Sequence, residues 1–310
     1  MRLIFAGTPD IALPSLKALA ARHEIVAVVT QPDARGKRGR DLHPSPVKAY
    51  ALEQGWTVYT PERASDPDFI AEIAGLDADV AAVVAYGQIL RKGLLDATRL
   101  GWVNLHFSLL PTWRGAAPVQ RAIMAGDEFT GASAFVLDEG MDTGAVIGSM
   151  SERIRPDDTT GTLLERLADA GAPLLAQAIE ALGAGQATPI PQPEDGVSHA
   201  PKLSRDDAYV RWERPAHVVG RQIRGCTPAP GAWTTLPDGT AMKVGPVRER
   251  ADLPATVPGQ IAAHDGAVTV GTGGHPVELG WVQPAGKGQV QADAWWRGAR
   301  LGDAAVLGDA

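Results

Sequence analysis

Cysteine is almost absent from this 310-residue chain, and Cys226 is its single occurrence. One thiol cannot close an intramolecular disulfide, and it excludes a zinc site built from cysteines. It reads as a small buried side chain, the commonest fate of a free cysteine. Long apolar runs are missing too. The opening "MRLIFAGTPD" breaks at Gly7 and Pro9, too early for the apolar stretch of a signal peptide, and no other run approaches the length of a membrane span. A cytoplasmic location is expected. The formal net charge is -7. That excess argues against a surface that attracts nucleic acid as a whole, while leaving room for a local basic patch. The 7 histidines are scattered without ligand spacing, so no metal is expected. The first strand-to-helix junction, "FAGTPDIALPSL", lacks G-x-G-x-x-G, so no dinucleotide site is read there. No long repeat is present. No coiled-coil pattern or apolar stripe demands a second copy, and a monomer is expected.

What is present is a packed core and a change of rhythm. Hydrophobic residues make up 45% and charged residues 21%, the composition of a globular chain of one large or two ordinary domains. In the first half, apolar runs alternate with helical patterns: "RLIFAG", "EIVAVVT", "WTVYT", "ADVAAVVAY" and "GWVNLHF" as strands, with "LPSLKALAAR", "SPVKAYALEQ", "DPDFIAEIAG" and "GQILRKGLLD" as helices. Runs rich in Val, Ile and Ala, apolar on both faces, fit parallel strands covered by helices, so the fold class is α/β with an open doubly wound sheet. "GASAFVLDE" and "AVIGSMSERI" read as two further strands. A long helix over about 159–182 follows, with Asp158 or Thr159 as its cap. The prolines around Ile190 mark an extended linker. Beyond it, one helix precedes short apolar runs separated by Gly, Pro and Asp, the texture of a small all-β barrel or sandwich, with "PDGT" and "TGGH" as hairpin turns. The expected division is 1–188, a linker over 189–205, and 206–310.

Three stretches carry candidate chemistry. In "VNLHFSLLPTWRGAAPVQRA", Asn104 and His106 are two apart at the end of a strand, so both side chains leave on one face. An amide N–H can stabilise an oxyanion, and a histidine can move protons near neutral pH. Asp142, in "GMDTG", is a carboxylate that could orient the imidazole, giving the equipment for acyl transfer without a covalent enzyme intermediate. The same residues could equally cap a strand end and shape a turn, and spacing alone leaves both open. "DTG" also matches an aspartic-protease half-site, but that chemistry needs a second such carboxylate and none is present. In "QPDARGKRGRDLHPSPVK", Arg35, Lys37, Arg38 and Arg40 are interleaved with glycines where a short loop is usual. A mobile basic loop can track a phosphate backbone, or simply be solvated. In "QIRGCTPAPGAW", Pro and Gly are expected to shape a turn and Trp233 to fill a core.

"NLHFSLLPTWRGAAPVQRAI" followed by "GMDTG" resembles the signature of the folate-dependent formyltransferase family. The basic stretch resembles the tRNA-contacting insertion loop of those members that act on methionyl-tRNA. "HAPKLS", "IRGCTPAPGAW" and "LGWVQPAGKGQVQADAWWRGARL" resemble their linker and the start and end of their C-terminal domain, so the similarity covers nearly the whole chain. The resemblance implies a Rossmann-like doubly wound, mostly parallel catalytic sheet followed by a C-terminal OB-like β-barrel that binds tRNA. It implies 10-formyltetrahydrofolate as formyl donor, methionine on charged initiator tRNA as acceptor, and no metal. Carried over residue by residue, Asn104, His106 and Asp142 match the catalytic trio. Ser108, Leu109, Leu110 and Pro111 match the folate-binding segment, and Arg35, Lys37, Arg38 and Arg40 the tRNA loop. Departures are Asp41 within the basic loop, a "GKGQV" without further basic residues, and "YVRW" where "IDW" is usual. An amino-sugar nucleotide, glycinamide ribonucleotide or water as acceptor, and a non-catalytic RNA-binding module, are the rival readings.

Overall fold

The apolar runs of the first half become the strands of one seven-stranded sheet: β1 Arg2–Gly7, β2 Glu24–Val29, β3 Val58–Tyr59, β4 Val80–Val84, β5 Trp102–His106, β6 Phe129–Val136 and β7 Val146–Arg153. The computed structural model describes residues 1–35, 41–302 and 305–308. The strand order is β3-β2-β1-β4-β5-β6-β7. Strands β1 to β5 are parallel, and β6 and β7 join antiparallel. Leu3, Ile4, Phe5 and Ala6 on β1 and Val80, Ala81 and Ala82 on β4 are buried throughout, as central strands covered on both faces must be. The order reverses between β1 and β4, and ligands of such sheets sit beyond the carboxyl ends at that point. Strand β5 ends one position further along.

Local chemistry sets the helix starts. Helix α1 spans Leu13–Ala20, α2 Pro46–Glu53 and α3 Pro67–Gly75. Ser45 accepts from the Lys48 amide and Asp66 from the Asp68 amide, each directly before a proline. Both are capping arrangements that satisfy an orphan donor and pre-set the first φ. One expected helix condenses. "GQILRKGLLD" is helical only over Lys92–Leu95, because Ala85 and Gly87 leave β4 at φ 49 and 91. Gln88 is then tied sideways, accepting from the Ala64 amide and donating to the Pro61 carbonyl. Helix α4 spans Pro118–Ala125, and α5 spans Thr160–Gly183 with Thr159 accepting from the Thr162 amide.

Contacts divide the chain into two units. One is Met1–Pro118, Phe129–Arg153 and Leu164–Ala200, and the other is Val119–Glu128, Ile154–Leu163 and Pro201–Ala310. As far as Ala200, the proline-rich stretch is built into the first unit, bridging Val146 through Ile190 and Arg114 through His199.

Among its described residues the second unit contains α6 Ala216–Gly225, eight short strands and α7 Ala292–Ala299. The strands are β8 Trp233–Thr235, β9 Ala241–Val244, β10 Val247–Glu249, β11 Ile261–His264, β12 Ala267–Val270, β13 Val277–Leu279, β14 Trp281–Pro284 and β15 Val290–Gln291. They form two antiparallel four-stranded sheets, β8-β9-β14-β15 and β10-β13-β12-β11, a barrel-like arrangement. Val219 and Ile223 of α6 share a buried cluster with Met242, Val244, Ile261, Val270, Val277 and Val282. "PDGT" and "TGGH" lie in the β8–β9 and β12–β13 hairpins. Among the described residues no helix is long and apolar enough to cross a membrane.

Candidate active site

Strand β5 lies between β4 and β6, with Asn104 opposite Val83 and Phe135, and His106 opposite Ser133. Two residues apart on one strand, the two side chains share a face. His106 is only 6% exposed and its ring meets Phe135 edge-on, centroids 6.4 Å apart. Its Nε2 lies 2.9 Å from the Trp113 carbonyl and its Nδ1 3.6 Å from Asp142 Oδ2. A carbonyl only accepts, so Nε2 carries a hydrogen and Nδ1 is left facing the carboxylate. Among the described residues the Asn104 amide makes no hydrogen bond, although the residue is half-buried. A half-buried amide with free donors at a strand end is available to a ligand oxygen.

Asp142 reaches the ring from the loop between β6 and β7. Its backbone is left-handed, φ 54, and its Oδ2 accepts from the Gly115 amide at 2.8 Å. The rest of "GMDTG" is architecture. Thr143 donates to Asp138 at 2.7 Å. A Cβ on Gly144 would lie 1.7 Å from the Val136 carbonyl oxygen, so only glycine lets the loop close on β6. The protease-like triplet is thereby accounted for, with Asp142 alone turned to the histidine. Gly115 is constrained in the same way: its φ is 120, and a Cβ would stand 2.8 Å from the Ala200 carbonyl oxygen.

The residues expected to hold folate follow directly. Ser108 is fully buried and its hydroxyl donates to the Thr112 carbonyl at 2.5 Å. Ser133 Oγ donates to the Ser108 carbonyl and accepts from the Leu110 amide. Ser108 therefore shapes the turn with its hydroxyl, while Leu109, Leu110 and Pro111 remain half-exposed at its outer side. The peptide between Leu110 and Pro111 is cis. At the end of neighbouring β4, Tyr86 is buried, and that burial pushes its phenol up to about 12, so it stays neutral.

The basic stretch is flanked by a small antiparallel ladder, Ala34 opposite His43 and Arg35 opposite Leu42. Its base is tied by Lys48 to Asp33 at 2.7 Å and by Thr30 to Ser45 at 2.8 Å. Lys37, Arg38 and Arg40 lie outside the described residues. In the second unit Trp233 is only partly buried. It packs against the core from its edge, with the Arg205 guanidinium 4.5 Å from its ring. Among the described residues no group of three or more His, Cys, Asp or Glu gathers at metal-binding range.

Reading the sequence missed three parts of this site: the Trp113 carbonyl, the Gly115 amide and Gln192. The first two are backbone groups and leave no residue-type signal. Gln192 donates to the Asp142 and Gly144 carbonyls, both at 2.8 Å, from a stretch whose prolines signal only extension.

Known proteins share this organisation at two levels. The crystal structure of HypX from Aquifex aeolicus in complex with tetrahydrofolic acid superposes with a TM-score of 0.65 at 16% identity, over 94% of this chain and 46% of that one. An N-formyltransferase from Helicobacter canadensis, in complex with folinic acid and dTDP-3-aminofucose, gives 0.65 at 17% identity, over 91% and 98%. At such identities the likeness is one of fold. Over sequence the likeness is far closer. The methionyl-tRNA formyltransferase of Thermobifida fusca is 54% identical over 310 residues, all of both chains. That of Rhodococcus erythropolis is 55% identical over 303 residues, 97% of this chain and 98% of its own. The formyl transferase model matches residues 1–179 and the formyl transferase C-terminal domain model residues 202–300. With both parts matched and relatives alike from end to end, the chain belongs to the formyl transferase family.

Proposed function

We propose that the protein transfers the formyl group of 10-formyltetrahydrofolate to the α-amino group of methionine on charged initiator tRNA, giving N-formylmethionyl-tRNA. The observation that carries this reading is the enclosed His106–Asp142 pair beside the Asn104 amide, which bonds nothing among the described residues, in a chain 54% identical over its full length to a methionyl-tRNA formyltransferase. We read 1–188 as the catalytic part and 206–310 as the tRNA-binding part.

The uncharged methionyl amine attacks the formyl carbon. The C–N bond to methionine forms, the carbonyl oxygen becomes an oxyanion, and the bond to folate N10 then breaks. Asn104 donates its amide N–H to that oxygen, and the His106 imidazole, on the same face of β5, is the second polar group placed beside it. The attacking nitrogen loses one proton and the departing N10 gains one, so the step balances without a net donor. His106 and Asp142 are the pair through which that proton passes. Leu109, Leu110 and Pro111 supply the half-exposed wall against which a flat, largely apolar pterin would lie. Arg35, Lys37, Arg38 and Arg40 meet the phosphates of the tRNA acceptor end.

One assay tests the acceptor: purified protein with 10-formyltetrahydrofolate, offered charged initiator tRNA, an amino-sugar nucleotide, glycinamide ribonucleotide or water alone. Formyl transfer to the charged tRNA is expected. Transfer to either small acceptor, or release of formate, overturns the choice of acceptor, and no turnover with any of them overturns the enzyme. Replacing Arg38 and Arg40 together should weaken tRNA binding and lower its slope against log salt by about 1–2. An unchanged slope places the phosphate contacts elsewhere.

A further inference from the structure

Gln192 has no part in the transfer as derived above, yet its amide ties together three segments distant in sequence. Nε2 donates to the carbonyl oxygens of Asp142 and Gly144, each at 2.8 Å. Oε1 accepts from Arg114 Nε at 3.0 Å and Nη2 at 2.7 Å. The turn after β5, the loop after β6 and the extended strap after Ile190 therefore meet at one side chain. On either side of Gln192 the strap makes further bonds to the same part of the molecule. Ile190 exchanges both hydrogen bonds with Val146, each at 2.8 Å. Ser198 Oγ accepts from the Trp113 amide at 2.9 Å. Arg114 donates to the Ser198 carbonyl and accepts from the Ala200 amide.

These are the loops that hold the imidazole. The Trp113 carbonyl takes His106 Nε2, and Asp142 faces Nδ1. Trp113 and Asp142 both sit at positive φ, 62 and 54. Non-glycine residues hold that conformation when their surroundings over-determine it. A half-buried side-chain amide with all its strong donor and acceptor positions directed at those loops is such a determinant.

We propose that Gln192 is a positioning residue for the transfer reaction: by locking the Asp142–Gly144 backbone to Arg114, it sets where the Asp142 carboxylate stands against His106. This rests on the reading of His106 and Asp142 as the proton-handling pair. The segment that composition marks as a linker then becomes part of the catalytic apparatus.

The test compares Gln192→Met, which keeps length and removes both polar ends, with Gln192→Glu, which keeps an acceptor for Arg114 but sets a carboxylate against two carbonyls. Two readouts are taken below the melting temperature of every variant: kcat and KM for formyl transfer, and hydrogen exchange of the Gly115 amide, which bonds Asp142 Oδ2. Both variants should lose about 10- to 100-fold in kcat, the size of effect expected of a displaced catalytic group, with KM for either substrate changed by less than about threefold. Exchange at Gly115 should quicken by about tenfold or more. Arg114→Lys, which still offers Oε1 a donor, should retain more activity than Arg114→Met. A purely structural pin would lower the melting temperature while leaving kcat per folded molecule and Gly115 exchange at wild-type values, and that result overturns the proposal. If the wild type formylates nothing while Gly115 exchange responds as expected, the function reading fails and the positioning of Asp142 by Gln192 stands.

Discussion

The candidate site of the first unit and an ion-pair cluster of the second use charged side chains in different ways. In the first, the His106 and Asp142 side chains are drawn in from the solvent, 7% and 17% exposed, and each is held by named backbone groups. In the second, a cluster of ion pairs lies beside the β10–β13 strands. Arg250 sits between Asp252 at 2.7 Å and Glu278 at 3.1 Å on the β10–β13 face. A neutral pair lies in that unit's core, where Trp212 donates to Thr234 at 2.9 Å. The Arg250 guanidinium holds the Asp252 carboxyl down to about 2, yet that carboxylate is 62% exposed, and solvent-exposed pairs stabilise a fold little. Strength of an ion pair is thus no guide to where chemistry occurs. Enclosure with a fixed orientation and an unsatisfied neighbour, here the Asn104 amide, is the better guide.

That contrast breaks most directly at the β5 end. His106→Ala is expected to lower kcat by about 10²–10⁴, the range for a positioned proton-transfer group, and Asn104→Ala by about 10²–10³, the range for one oxyanion donor. Initial rates of formyl transfer, alongside melting curves showing the fold intact, check both. Arg250→Ala, on the other unit, should leave kcat within twofold of wild type. Turnover near wild type in Asn104→Ala would mean that enclosure does not mark the reacting site.

A smaller effect sharpens the other side of the comparison. Ile223 packs one face of α6 into the barrel cluster with no exposed surface. Ile223→Ala removes three carbons from a close-packed site, and the expected loss is about 2–5 kcal/mol of stability. Denaturant titration should show the transition of the second unit moving to lower concentration. The same titration on Asn104→Ala should show little change, because that amide bonds nothing among the described residues.

How far each unit was legible in the sequence follows from the same physics. Central strands are apolar on both faces, so β1, β4 and β5 stand out as runs of Val, Ile, Leu and Ala, and Asn104 and His106 are conspicuous because they interrupt one. Antiparallel β-hairpins announce themselves by their turns, as "PDGT" does between β8 and β9. What periodicity cannot show is a segment whose conformation is settled by contacts distant in sequence. "GQILRKGLLD" has helical spacing, but Gln88 is committed to Ala64 and Pro61, and only one turn forms. The stretch around Ile190 looks like a linker because proline makes a linker and a strap alike extended. Only the hydrogen bonds of Gln192 and Ser198 tell them apart. The holders of His106 were invisible for a related reason, since a carbonyl at Trp113 and an amide at Gly115 could belong to any residue.

The smallest effect concerns Cys226, where the second unit does bury a titratable group. The thiol has no exposed surface, and burial pushes it up to about 11, with Asp207 adding to the rise. Only the thiolate attacks a disulfide reagent. At pH 8 the folded protein should therefore react with such a reagent orders of magnitude more slowly than the unfolded chain, whose cysteine titrates near 8.5. Absorbance at that pH, with and without denaturant, reads this directly. The linked effect on stability has a definite sign. Because the folded value lies above the unfolded one, the unfolded state gives up its proton first as pH rises. Stability from the buried thiol is whole below about 8.5 and drains away as pH climbs toward 11. Cys226→Ala should remove that component of the alkaline slope and leave the neutral-pH rate of formyl transfer unchanged. A folded thiol that reacts at the unfolded rate would show the barrel interior to be open, and the neutral, sealed core is the half of the comparison that would then be lost.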